Sequence, residues 1–203
     1  LKNLGMGSGS RGGKMQMHSG SKPRIDSARC IACGTCLQTC PQAAIGWNDD
    51  HKAAIDHRKC IGCGQCVAVC MVGAAHPVYR GTNEDLDEKI AEYAYAVVHD
   101  KPAFHVSFLM NISPNCDCWS RNDAAVVPDI GIAASMDPVA LDQACADLVN
   151  KAAPAQASVL SDIHYEHGDK FHQIHPETSW ETQLEHAEEI GLGTRSYKLI
   201  VVA

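Results

Sequence analysis

The hydrophobic positions between residues 83 and 99 recur at the three- and four-residue spacing of a helix with one buried face. Thr82, followed three residues later by Asp85, marks the expected start of this helix. The pattern predicts that the buried face holds Leu86, Ile90, Tyr93, Ala94 and Val97.

Two further helices are predicted nearer the C-terminus. Asp137-Pro138 matches an N-cap followed by proline at the first helical position, and residues 138–153 continue at helical spacing. A last helix is expected to begin near Thr178, with Glu181 completing a capping box, and to end at Gly191. The apolar stripe of the first of these two helices holds Leu141, Ala144, Cys145 and Leu148.

Strand-like segments separate these helices. Residues 103–112, residues 124–135 and the closing residues 196–203 are apolar or alternate between apolar and polar. Nearer the N-terminus, residues 43–56 predict a hairpin with its turn at Asn48–Asp50. The alternation of strands and helices after residue 100 indicates a small α/β layered domain behind a separate module, and therefore an α+β chain.

Composition and charge narrow the function classes. The chain has 203 residues, of which 45% are hydrophobic and 20% charged, and no apolar run approaches the roughly 18 residues of a membrane span. Residues 1–30 hold six Lys or Arg and one Asp and so carry a net charge of +5. The remaining residues must therefore carry −12 to give the total of −7. An acidic body with few aromatic residues argues against a nucleic-acid surface.

Eight of the eleven cysteines form a repeat with a period of 30 residues. The segment "RCIACGTCLQTCPQAAI" begins at Arg29 and "KCIGCGQCVAVCMVGAA" begins at Lys59, and each contains Cys-x2-Cys-x2-Cys-x3-Cys. This is the spacing of bacterial ferredoxins, in which the fourth cysteine of each run ligates the other cluster. We therefore expect two [4Fe–4S] clusters, one on Cys30, Cys33, Cys36 and Cys70, the other on Cys60, Cys63, Cys66 and Cys40.

Zinc is the alternative occupant of these cysteines. Zinc sites typically pair two Cys-x2-Cys hooks into four ligands, whereas each run here offers four thiolates, so the pattern favours clusters. The hairpin between the runs is expected to cover the clusters. Met71 stands where the first run has Pro41, and we expect it to keep the apolar cover while loosening the backbone.

The chain is accordingly divided into a Gly/Ser-rich basic arm (residues 1–24), a two-cluster ferredoxin-type domain (25–80) and an α/β domain (81–203). The arm is expected to be either a phosphate-binding segment or a solvated tail. It contains Gly7-x-Gly9-x-x-Gly12, but without a preceding strand this match supports dinucleotide binding only weakly.

The remaining cysteines and a group of histidines are further candidate ligands. Cys145 lies on an apolar stripe, which favours a core position. Cys116 and Cys118 follow a predicted strand and are the candidate catalytic residues; they form either a functional site completed by other groups or a structural loop. The spacing of the histidines in the polar stretch 151–179 favours a solvated loop over a metal site; these are His164, His167, His172 and His175.

Along nearly its whole length the chain resembles the uncharacterised iron–sulfur proteins of domain of unknown function 362, in the subgroup with an inserted two-cluster ferredoxin. The resemblance lies in "LKNLGMGSGSRGGKMQMHS", both cysteine runs, Cys116-Asp117-Cys118, Asp137-Pro138-Val139-Ala140 and "WETQLEHAEEIGLGTRSYKLI". Met71 and Trp119 depart from the usual pattern without removing a ligand. The resemblance implies that a substantial segment precedes Leu1, and it implies no settled reaction.

Three functions remain open at this stage. The first is single-electron transfer through the two clusters at low potential, roughly below −300 mV, between a redox protein donor and acceptor. The second is an oxidoreductase component with a substrate or extra metal site at Cys116 and Cys118, completed by Cys145, a histidine, another copy of the chain or a preceding segment. The third is a structural or oxidant-sensing role. Oxygen-labile clusters favour a reducing setting, most simply the cytoplasm.

Overall fold

The computed structural model describes residues 1–18, 22–78, 83–116 and 123–202. The chain divides into two compact units, Lys2–Tyr93 and Ala94–Ala203, with Leu1 assigned to the second. Each unit combines helices with two-stranded sheets, which gives the mixed α+β class that the sequence predicts. The division falls after Tyr93, whereas the sequence-based boundary lies after residue 80.

Short helices and strands alternate through the first unit. In chain order they are α1 Lys2–Ser8, α2 Arg11–His18, β1 Arg24–Ile25, α3 Thr35–Thr39, β2 Ile45–Trp47, β3 Ala53–Ile55, α4 Gln65–Val69, β4 Ala75–His76 and α5 Asn83–Val98. Helix α5 and the hairpin β2–β3 confirm two predictions. Ile90 and Ala94 of α5 are buried, while Leu86, Tyr93 and Val97 are half-buried. The predicted cap Thr82 lies outside the described residues.

The 30-residue sequence repeat produces two structurally equivalent halves. Strand β1 pairs antiparallel with β4, and β3 pairs antiparallel with β2, so that Ile25↔Ala75 in one pair corresponds to Ile55↔Ile45 in the other. The Asp26 N–H donates to Ala74 O at 2.8 Å, and the Asp56 N–H donates to Ala44 O at 2.7 Å. Each half is therefore anchored by a hydrogen bond to the other.

The basic arm is helical over most of its described length, which the Gly/Ser composition did not predict. Met17 of α2 is fully buried, and Gly13 is buried beside Tyr93 of α5. A Cβ added to Gly13 would lie 2.9 Å from the Tyr93 ring, so only glycine permits this approach. The expectation of a solvated tail was wrong for residues 1–18.

The second unit places helices around one antiparallel strand pair. Its elements are β5 His105–Leu109, β6 Gly131–Ser135, α6 Pro138–Lys151, α7 Val159–Asp162, α8 Lys170–Ile174 and α9 Trp180–Glu189. Both strands and the helices α6 and α9 had been predicted. Helix α6 packs on the sheet, and the other sheet face leaves Val106, Phe108 and Ile132 exposed. The core comprises Leu109, Val126, Val127, Val149 and Leu160.

Asp137 caps α6 as its sequence position predicts. Its Oδ1 accepts from the N–H groups of Val139 at 2.8 Å and Ala140 at 3.0 Å. Its Oδ2 accepts from the Thr194 N–H at 2.8 Å, which fixes the segment that follows α9. Gly193 lies so close to this carboxylate that a Cβ there would sit 2.1 Å from Oδ1.

The structure differs from the sequence prediction at three places in this unit. Residues 196–202 form no strand, because among the described residues β6 pairs only with β5. The closing segment instead lines a cavity beside β6. The polar stretch 151–179, predicted as irregular, contains α7 and α8. Helix α9 begins after the N-cap Ser179 rather than at Thr178. Within the described ranges, no helix has the length and apolar character needed to cross a membrane.

Candidate functional site: two cysteine-lined cavities

Each cysteine run wraps a loop that leads into a short helix. Gly34 and Gly64 precede α3 and α4 and have φ values of +76° and +71°, a backbone region that favours glycine. Two positions earlier in the pattern, Ala32 and Gly62 correspond and also have positive φ, at +56° and +77°. The left-handed residues turn each loop back on itself, so that its first three cysteines face one side.

The eight cysteines line two cavities, four to each. The first cavity is lined by Cys30, Cys33, Cys36 and Cys70. The second cavity is lined by Cys40, Cys60, Cys63 and Cys66. The structure thus brings together three cysteines of one run with the fourth of the other, the grouping to which the sequence assigns the two clusters. Their role as cluster ligands stays a prediction.

Apolar side chains form the walls between these thiols. Ile25, Ala53 and Val72 line the first cavity. Ile45, Ile55 and Pro23 line the second. Ile45 is buried, as a cover provided by the predicted hairpin requires, but Met71 is fully exposed. The expected apolar cover by Met71 was therefore wrong, because the turn after Cys70 directs this side chain into solvent.

Several cysteine sulfurs in the described part of the chain accept hydrogen bonds. Backbone N–H groups donate to Cys40 Sγ from Ala44 at 3.3 Å, to Cys70 Sγ from Ala75 at 3.3 Å and to Cys60 Sγ from Gly62 at 3.4 Å. The Thr35 hydroxyl donates to Cys33 Sγ at 3.6 Å. Donors of this kind stabilise negative charge on sulfur and would support thiolates in both cavities.

The thiols differ in acidity because their environments differ. Burial, with smaller contributions from Cys60, Cys63 and Cys36, raises the pKa of Cys66 to about 12, although a hydrogen bond from the Val67 N–H lowers it. Burial likewise raises the pKa of Cys36, with smaller contributions from Cys30, Cys33 and Cys70. By contrast, hydrogen bonds from Thr35 lower the pKa of the exposed Cys33. Sequence spacing carried no signal for the role of Thr35.

Two of the three other cysteines are described by the structure, and neither lines one of these cavities. Cys145 on α6 packs against the core of the second unit, and burial raises the pKa of its thiol, in agreement with a core position. Cys116 is exposed, while Cys118 lies outside the described residues. The loop before Cys116 is held by His175, whose Nε2 donates to Pro114 O at 2.7 Å.

His172 and His175 are two of the four histidines for which the sequence favours a solvated loop over a metal site, and they have different partners. His172 Nε2 lies 3.1 Å from Glu181 Oε2, whereas His175 contacts Pro114. Throughout the residues that the structure describes, no three or more His, Cys, Asp or Glu side chains are grouped so that they could hold a metal ion.

Comparison with known sequences gives one family match. The profile of the family described as "Domain of unknown function (DUF362)" matches residues 1–147. No curated protein matches the chain. The matched range includes both cysteine runs and most of α6, so it supports the resemblance to this family and supplies no reaction. The subgroup with an inserted two-cluster ferredoxin stays a prediction.

Proposed function

Because this chain belongs to the DUF362 family, whose description states no activity, we propose from the site itself that it is a one-electron carrier holding two [4Fe–4S] clusters. The observation that carries this proposal is the distribution of eight cysteines between two cavities, four to each. A partner protein that donates electrons and another that accepts them are implied, and a reducing compartment, most simply the cytoplasm, would suit such clusters.

The chemistry of the residues fits the clusters. Each cavity has four thiols, apolar walls and N–H donors directed at sulfur, which are the features by which proteins bind iron–sulfur clusters and set their potential. Cys30, Cys33, Cys36 and Cys70 would hold one cluster, and Cys40, Cys60, Cys63 and Cys66 the other. Bound there, each cluster supplies reversible uptake of a single electron.

The grouping of the cysteines favours clusters over zinc. Zinc sites typically pair two Cys-x2-Cys hooks into four ligands. Here each run offers four thiolates, and each cavity takes three cysteines from one run and the fourth from the other, which is the ligation pattern of two-cluster ferredoxins.

Anaerobic reconstitution with iron and sulfide tests the proposal. We expect about eight iron and eight sulfide per chain, a visible absorption band that dithionite bleaches, and a midpoint potential below about −300 mV. A colourless protein with stoichiometric zinc, or clusters with potentials well above 0 mV, would contradict the proposal. Replacing exposed Lys14 with Ala is a control that should leave the iron content unchanged.

A further inference from the structure

The two halves of the cysteine-rich unit are equivalent in fold but differ in exposure. In the first loop, Ala32 and Cys33 are exposed. At the equivalent positions of the second loop, Gly62 is buried and Cys63 is half-buried. Ile31 and Ile61, which precede them, are both exposed, so the asymmetry begins only after these isoleucines.

Helix α2 packs closely against the second loop. A Cβ on Gly12 would lie 3.0 Å from Cys63 O, and a Cβ on Gly64 would lie 2.7 Å from the Cβ of Met15. A side chain at Gly64 would therefore displace Met15, and one at Gly12 would push against the backbone of Cys63. Neither Gly12 nor Met15 lines the second cavity, so α2 lies on the outer side of the loop.

Helix α2 also packs against helix α5. Gly13 of α2 lies against Tyr93 of α5, and Met17 is fully buried. Burial, with Cys63 as the next cause, raises the pKa of Tyr93. Helix α2 is thus enclosed between the second loop and α5.

The first loop has a different neighbour. A Cβ on Gly34 would lie 3.5 Å from Trp47, which is ordinary van der Waals contact, and Trp47 is itself 48% exposed. No helix corresponding to α2 covers this loop in the part of the chain that the structure describes. Ile31, Cys33 and Trp47 therefore present an open, partly apolar surface beside the first cavity.

We infer that α2 closes the second cysteine site against solvent and that a partner exchanges electrons with this protein at the first site, over Ile31, Cys33 and Trp47. This inference rests on the proposed function. The partner is a one-electron redox protein with an apolar docking face. One electron leaves the reduced cofactor of the donor and arrives at the first site, and no bond forms or breaks.

Iron release from the reconstituted chain tests this asymmetry. A water-soluble iron chelator should remove half of the iron quickly and the other half at least about tenfold more slowly, since the second site must first lose α2 by local opening. A chain lacking Cys36 and Cys70 should show only the slow phase, which assigns the fast phase to the first site.

A pair of valine variants isolates the contribution of α2. Gly12→Val places a branched side chain against Cys63 O and should bring the slow rate to within about twofold of the fast rate. Lys14→Val introduces the same residue at an exposed position of α2 and should leave both rates unchanged. If Gly12→Val does not fold, a soluble lanthanide chelate added to the unmodified protein gives a second readout. The chelate should broaden the electron paramagnetic resonance signal of the first cluster more than that of the second.

The outcomes separate the two ideas. A chain that binds no iron–sulfur cluster overturns the proposed function, and this inference with it. A chain that holds about eight iron but releases all of it at one rate overturns the inference alone. Equal broadening of the two signals, or an unchanged slow phase in Gly12→Val, would also overturn it.

Discussion

Removing two cysteines at a time shows which thiols share a site. The double replacement Cys36→Ala with Cys70→Ala removes two of the four thiols of the first cavity and leaves all four thiols of the second. One complete site then remains, so we expect about four iron per chain after gel filtration, half of the parent value.

The matched variant takes two cysteines from one sequence run. Cys36→Ala with Cys40→Ala removes one thiol from each cavity, so neither site keeps four ligands. Bound iron should fall well below the four retained by the first variant. Both variants remove one helical cysteine and one cysteine that follows a helix, so their effects on the fold are comparable.

Iron and sulfide analysis after gel filtration measures the outcome, with circular dichroism to show that both variants fold. The opposite ranking, with the complete site surviving only in the Cys36/Cys40 variant, would refute the crossed grouping. It would mean that each run of four binds its own cluster, despite the positions of Cys40 and Cys70 in the cavities.

Three further replacements test the energetics of the fold. Gly62→Ala should lower the melting temperature of the reconstituted protein by about 2–4 °C, because the added Cβ meets no atom within 4 Å and only the positive φ at this position opposes a side chain. The matched replacement Ala32→Gly should not lower the melting temperature. An equal loss in both variants would contradict this explanation. Burial raises the pKa of Asp87 to about 6 from 3.8, so this group's stabilising contribution is complete below about pH 4 and is lost as the pH rises through 6. Asp87→Asn should therefore stabilise the chain at pH 7 by about 1 kcal/mol after solvent screening, and not at pH 4, in urea unfolding. Asp137→Ala removes the acceptor of three N–H groups and should lower the free energy of unfolding by about 2 kcal/mol in the same assay. Asp137→Asn should lower it by less. Equal losses in the two variants would exclude the capping explanation.

Local sequence signals predicted those elements whose causes are local. The Asp137-Pro138 pair begins α6 because an N-cap carboxylate and a proline at the first turn act within a few residues. The turn between Trp47 and Ala53 similarly needs only its own residues: Asn48 Oδ1 accepts from the N–H groups of Asp50 and Lys52. Such elements can be recognised without knowing what they pack against.

Elements that depend on distant partners were predicted poorly. The closing segment has strand composition, but a strand needs a paired neighbour, and the described part of β6 pairs only with β5. The N-terminal glycines are typical of a linker. In the structure, however, Gly12 lies close to Cys63 and Gly13 lies close to Tyr93, both far along the chain. Glycine composition alone cannot distinguish a flexible segment from a closely packed one.

The sequence by itself determined the eight candidate ligands and their division between the two runs, because cysteine spacing and the left-handed glycines follow directly from the residues. The tertiary structure decided how the two equivalent halves differ. The contact of α2 with the second loop, and its absence from the described surroundings of the first, depends on Gly12 meeting Cys63 and on Gly13 meeting Tyr93. A repeat in the sequence predicts equal sites; packing by residues outside the repeat makes them unequal.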